Sequence, residues 1–167
     1  MIIDLKRIFV NDNSSVPINY SLDLSDLEYM GLYPLKKPVV ISGAVTNNVS
    51  LVSLKAEIDY CYEAPCDRCG AETQRQFKIK FEKALAESAE SEQSDTFLVT
   101  PDMKLDLDEL IYTEVVTSLP MKFLCSEECK GICSECGKNL NQGSCGCDIK
   151  QIDPRLAALA ELLKDDI

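Results

Sequence analysis

The sequence predicts an α+β fold: a twisted antiparallel β-sheet of about five or six strands with a covering helix, a zinc-bound cysteine-rich segment and a short C-terminal helix. Three observations predict it. Residues 39–81 hold runs of β-branched and aromatic side chains with period-2 alternation. Residues 107–119 carry one apolar stripe at helical spacing. Eight of the nine cysteines fall into close pairs.

The elements follow in order. Short apolar runs predict a strand near Ile2–Phe9 and another near Val16–Leu24. After Pro38, Val39–Val45 and Val49–Tyr62 read as a long hairpin. Asn47-Asn48 lies between them, and asparagine tolerates the left-handed turn conformation. Leu54, Ala56, Ile58, Tyr60 and Tyr62 share one face of the second strand; Lys55, Glu57, Asp59 and Cys61 share the other. A second hairpin turns at Cys66–Gly70 and returns through Phe77, Ile79 and Phe81. Residues 86–96, AESAESEQSDT, have almost nothing to bury and read as a loop. Asp106-Leu-Asp-Glu109 has the form of a capping box. Leu107, Ile111, Val115 and Leu119 then recur at i+4, which predicts a helix ending before Pro120. Asp153-Pro154 opens a last short helix striped by Leu156, Leu159 and Leu163.

One compact domain is expected: a body over 1–120, a cysteine-rich segment over 121–150 and the terminal helix over 151–167. At 167 residues and 46% apolar composition the chain can bury a core. No apolar run reaches the roughly 20 residues that span a bilayer. The start, MIIDLKRIFV, lacks the apolar core of a signal peptide, so a cytoplasmic protein is expected.

Composition excludes several chemistries. The chain has no histidine, so Ser-His-Asp and Cys-His hydrolases are ruled out, as are zinc fingers that need histidine. The formal net charge is −11, and it is uneven. Residues 81–120 hold ten acids against Lys83 and Lys104, a net of −8; residues 1–80 contribute −1 and residues 121–167 contribute −2. Phosphate binding needs clustered Lys and Arg. The one basic stripe, Arg75, Lys78, Lys80 and Lys83, does not keep a single parity and so does not mark one face of a strand. The acidic stretch reads as a solvated surface or as one that docks a basic partner.

The cysteines carry the strongest signal. They pair as Cys66/Cys69, Cys125/Cys129, Cys133/Cys136 and Cys145/Cys147. In a reducing cytosol such spacing points to metal rather than disulfides. Two pairs sit in CDRCG and CSECG knuckles, where the glycine lets the chain turn back without a Cβ clash. Eight thiolates suit two closed, tetrahedral four-cysteine zinc sites. The preferred grouping joins Cys133, Cys136, Cys145 and Cys147, because only eight residues separate those pairs. Cys66 and Cys69 then join Cys125 and Cys129. The competing grouping joins the two knuckles to each other. Both sites are expected to be structural, with no open position for water or substrate. Filling them takes the formal charge to about −15, since each replaces four neutral thiols by a net −2. Cys61 is left over and reads as a buried structural thiol.

Two enzyme readings fail on placement. Cys61-x-Glu63 and Pro65-Cys-x-x-Cys69 carry the letters of a zinc deaminase, but both lie on one hairpin with a single residue between them. A thioredoxin-like Cys66-x-x-Cys69 pair needs its first cysteine at a helix N-terminus, and here it sits between antiparallel strands.

From Cys66-Asp-Arg-Cys69 through Leu119-Pro120, Leu124-Cys125-x3-Cys129-Lys130-Gly131-Ile132-Cys133-x2-Cys136-Gly137, Asn139-Leu140-Asn141, Cys145-Gly-Cys147 and Asp153-Pro154-Arg155, the order of motifs resembles the YceD family. These are the large ribosomal RNA subunit accumulation proteins of bacteria and plastids. The resemblance runs from about Pro38 to Leu163. Ser134 departs from it, where the family commonly has proline. The resemblance implies a cytosolic, non-enzymatic factor needed for large-subunit ribosomal RNA to accumulate. With that setting on the large-subunit precursor, the acidity of residues 81–120 makes a basic ribosomal protein or another assembly factor the expected partner, with RNA contact secondary and no membrane or small-molecule substrate expected. A generic zinc-stabilised adaptor is the alternative reading, and a thiol redox protein the third.

Overall fold

The computed structural model describes residues 1–87 and 97–147. The expected helix after Asp153 lies outside the described residues, as does all of the expected 86–96 loop except Ala86 and Glu87. The chain divides into two compact units. The first comprises Met1–Ala64 and Glu72–Phe123, the second Pro65–Ala71 with everything from Leu124 onward.

The first unit is built on a five-stranded sheet. Its strands are β2 (Ser15–Leu22), β3 (Val39–Asn48), β4 (Leu51–Pro65), β5 (Glu72–Ala86) and β6 (Phe97–Val99), ordered β2-β3-β4-β5-β6. The β2–β3 and β3–β4 pairs are antiparallel, with Ile18 opposite Gly43 and Ile41 opposite Ile58. The expected all-antiparallel sheet needs correction, because β6 runs parallel to the end of β5. Parallel neighbours need a long connection rather than a tight turn, and the sequence between Ala86 and Phe97 supplies one. A separate two-stranded ribbon pairs β1 (Ile2–Asp4) with β7 (Lys104–Asp106).

The expected strand over Ile2–Phe9 is instead β1 followed by a short helix, α1 (Lys6–Val10). Leu5 and Ile8 are three residues apart and both fully buried. The Leu5 carbonyl accepts the amides of Ile8 and Phe9. Helical spacing buries that pair; alternation would have split it between two faces.

The β3–β4 turn also differs from expectation. It falls on Val49-Ser50, which have φ of 51° and 62°, and Asn48 pairs with Leu51 across it. Asn47 is used elsewhere. It is 1% exposed, and its side-chain Nδ2 donates to the Ile8 carbonyl at 2.7 Å. A buried hydrogen bond that pins α1 therefore takes the asparagine, and a valine is left in the left-handed region.

Helix α2 (Leu107–Ser118) runs as expected. Leu107, Ile111 and Val115 are buried along one stripe, and Leu119 caps the end before Pro120. The Asp106 carboxylate accepts the Asp108 amide at 3.0 Å. The cap thus closes on the second helical residue rather than as the reciprocal box with Glu109. Tyr60, Leu54, Ile58, Ile41 and Val45 pack with this stripe into one core. Tyr60 stacks on Phe77 at 5.5 Å, and Tyr62 meets Phe123 edge-on at 4.7 Å.

The three lysines of the β5 basic stripe each pair with a carboxylate. Lys78 pairs with Asp59 at 3.2 Å and also with Glu57, while Lys80 pairs with Glu57 at 3.0 Å. Lys83 pairs with Glu114 at 2.9 Å, and Arg75 lies 5.8 Å from the centre of the Phe123 ring. Among the described residues, these four cations do not form an open phosphate-binding row.

Candidate metal centres

All eight paired cysteines lie in the second unit and form two tetrads. The first is Cys66, Cys69, Cys125 and Cys129; the second is Cys133, Cys136, Cys145 and Cys147. This is the grouping that chain separation favours; the knuckle-to-knuckle alternative is not adopted. Within each tetrad every sulfur lies within 4.8 Å of the others. Cys66 and Cys129 sulfurs are 3.8 Å apart, and those of Cys69 and Cys125 are 3.7 Å apart. A tetrahedral ion bound at about 2.3 Å by four sulfurs sets edges of about 3.8 Å. The all-thiolate donor set and this spacing fit one thiophilic divalent ion per tetrad, held in a closed shell.

The two knuckles fold alike. The Gly70 amide donates to the Cys66 carbonyl at 2.8 Å, and the Cys66 amide donates to the Ala71 carbonyl at 2.9 Å. In the second knuckle the Gly137 amide donates to the Cys133 carbonyl, and the Cys133 amide donates to the Lys138 carbonyl, both at 2.9 Å. Gly70 and Gly137 take φ of 69° and 72°, a left-handed turn that strains any residue with a Cβ. The tight loop aims the amides of Arg68 and Cys69 at the Cys66 sulfur, and those of Glu135 and Cys136 at the Cys133 sulfur.

These contacts set the acidities. Burial pushes the Cys66 thiol up, but the amides of Cys125, Arg68 and Cys69 outweigh it and bring the thiol down to about 6. The Asn141 side chain leads the groups that lower Cys129. The adjoining Cys129 sulfur pushes Cys125 up to about 12. In the second tetrad the Cys136 and Glu135 amides bring Cys133 to about 7, while the Cys136 and Cys145 sulfurs push Cys147 to about 12. Each tetrad thus sets a depressed thiol against a raised one. Crowded sulfurs cannot all ionise without a cation, and a bound dication removes that conflict.

Sequence reasoning missed the residues around the sulfurs. Arg68 donates from Nη1 to the Cys129 carbonyl at 2.8 Å. Asn141 donates from Nδ2 to the Cys129 sulfur at 3.3 Å and accepts the Lys130 amide on Oδ1 at 2.8 Å. Gly131 has φ of 75°, and a Cβ there would sit 3.2 Å from the Arg68 carbonyl oxygen. The Asn139-x-Asn141 spacing was the available signal, since such residues commonly build side-chain turns. Cys61 belongs to neither tetrad. It is 4% exposed in the first unit, with its sulfur 3.9 Å from the Lys37 ammonium and 3.8 Å from the Glu63 carboxylate. Cys66–Cys69 occupies a turn rather than a helix start, so the arrangement that activates a thioredoxin-like thiol is not built there.

A profile of the family described as Large ribosomal RNA subunit accumulation protein YceD matches residues 54–163. The chain belongs to the YceD family. It is 28% identical over 131 residues to the protein YlbN of Bacillus subtilis, covering 77% of this chain and 76% of YlbN. Proteins of Mycobacterium bovis and Mycobacterium tuberculosis are 31% identical over 102 residues, 59% of this chain and 49% of theirs. No solved structure matches. The YceD match includes both tetrads and all of β5 and α2. No described helix is long and apolar enough to cross a membrane.

Proposed function

We propose that this protein is a cytoplasmic, non-enzymatic ribosome-biogenesis factor that large-subunit ribosomal RNA needs in order to accumulate, with one structural zinc ion in each tetrad. The observation that carries the reading is the YceD family match over residues 54–163. Zinc is favoured because it takes four thiolates tetrahedrally, has no redox chemistry of its own and is the usual occupant of closed four-cysteine sites. A closed shell leaves no coordination position for substrate, which supports a structural role over a hydrolytic one.

The direct partner is a basic protein of the large-subunit precursor, either a ribosomal protein or an assembly factor. The net −8 of residues 81–120 and the internal neutralisation of the β5 lysines both favour protein over bare RNA. Naked-RNA affinity grows with unneutralised Lys and Arg. Depletion in the host, followed by the ratio of large- to small-subunit ribosomal RNA, tests the reading. A selective fall in the large-subunit species is expected. An unchanged ratio with depletion confirmed would sink it and leave the zinc-stabilised adaptor in its place.

A further inference from the structure

The second tetrad is locally closed, and its four cysteines span residues 133–147. Its internal loop does more than connect ligands. Between Cys136 and Cys145 the chain makes a single 3-10 turn, Leu140–Gln142, capped by the Asn139 side chain on the Asn141 amide at 2.9 Å. From that turn Asn141 reaches the first tetrad, where its Nδ2 donates to the Cys129 sulfur. Its amide orientation is fixed, because Oδ1 accepts the Lys130 amide and the remaining Nδ2 proton is taken by Asn139 Oδ1 at 2.9 Å. The backbone repeats the link: the Leu140 amide donates to the Gly131 carbonyl at 2.9 Å, and Ile132 bridges Asn139.

The burial of the two tetrads differs as well. Each tetrad has one exposed cysteine, Cys125 in the first and Cys136 in the second, but Cys66 and Cys129 are both buried in the first whereas only Cys133 is buried in the second. The more open centre therefore holds the loop that supplies a donor to a buried ligand of the more closed one. Donors to metal-bound thiolates orient the ligand and tune its charge, and losing one typically costs about 10–100-fold in metal affinity.

We infer that Asn141 is a positioning residue that couples the two centres, so that metal in the second tetrad stiffens the 139–142 turn and thereby strengthens metal binding in the first. The inference rests on the metal reading of the tetrads. It makes loading cooperative and loss ordered: the open centre empties first, and the closed centre weakens when it does. The reverse dependence follows by linkage, since the coupling between two binding sites is reciprocal.

The test uses the full-length, zinc-loaded protein, with a chelator added and cysteine alkylation followed residue by residue by mass spectrometry. In the parent protein Cys136, Cys145 and Cys147 are labelled before Cys66, Cys69 and Cys129. In Cys145→Ser the labelling of Cys66, Cys69 and Cys129 accelerates, by an amount similar to that in Asn141→Ala, about 10–100-fold. Combining the two substitutions adds little, because both remove the same bond. Asn141→Asp separates donation from mere shape: it keeps an acceptor for the Lys130 amide but cannot donate to sulfur. It should release the first metal at least as fast as Asn141→Ala. Wild-type labelling of the first tetrad in Cys145→Ser or in Asn141→Asp, with about two zinc ions bound per parent chain, overturns the coupling and leaves the metal reading standing. Parent protein purified with no zinc and unable to take it up overturns both.

Discussion

At the scale of single residues, the positions that matter are those where the backbone constrains the side chain. Val49 and Ser50 both hold positive φ in a two-residue hairpin turn, where Asn-Gly is the favoured pair. Replacing Val49-Ser50 with Asn-Gly should raise stability by about 1–2 kcal/mol, because each L-residue with a Cβ carries a cost of that order in the left-handed region. Thermal melting measures this, and an unchanged or lower midpoint would contradict the strain argument. Gly131 is the opposite case. Gly131→Ala adds the left-handed cost of about 1–2 kcal/mol and presses a methyl group against the Arg68 carbonyl. It should speed metal release from the first tetrad, as read by a chromogenic chelator. Val49 does not announce itself by residue type. Valine is a strand former, and the sequence placed the turn two residues early on the asparagines. Asn47 was drawn away by a tertiary contact, its bond to the Ile8 carbonyl, which no local rule could see.

At the scale of elements, the long strands and α2 were legible because their signals are periodic and redundant. Ile111 and Val115 are fully buried, as their spacing requires. The N-terminal segment was misread because three or four apolar residues fit either period. The parallel placement of β6 was not legible either, since three residues carry no register information. The cysteine grouping was legible from chain separation alone, while the asparagine and arginine around the sulfurs were not. The two tetrads should differ as structural elements. The first closes chain separations of 63 and 56 residues, while the second closes a local loop. Loop-closure entropy grows with length, so Cys66→Ser or Cys129→Ser should lower the melting temperature more than Cys145→Ser. Equal losses in all three variants would argue that the first site holds distant segments together no more than the second. Asp106→Ala removes the α2 cap and should cost about 0.5–2 kcal/mol, visible as a loss of thermal stability without change in metal content.

For the whole molecule, charge and metal bear on the same question of partner. Lys55 pairs with Glu82 and Lys83 with Glu114, so part of the acidity of residues 81–120 is balanced internally. The exposed remainder includes Asp102 and Glu109. Attraction between such exposed charges and a basic protein is screened by salt. A basic large-subunit protein recovered with the tagged chain at low ionic strength should therefore be lost as salt is raised. Retention at high salt would point to an apolar contact instead. The YceD relationship supplied the biological setting in the sequence itself, through the cysteine order and the residues between the pairs; composition alone reached no further than an acidic, thiol-rich, histidine-free protein.

The first tetrad is assembled from two stretches of chain far apart in sequence, and this gives its formation a timetable. With synthesis at ~5–20 residues per second, the 63 residues added after Cys66, up to and including Cys129, take roughly 3–13 s to appear. For that interval the first knuckle waits as an incomplete two-sulfur site. Cys125 and Cys129 are the next thiols to emerge, ahead of Cys133 and Cys136, so the order of emergence offers the waiting pair its native partners first. The vulnerable moment is therefore the short stretch after Cys129, when rapid synthesis delivers Cys133 and Cys136 before the first site has closed.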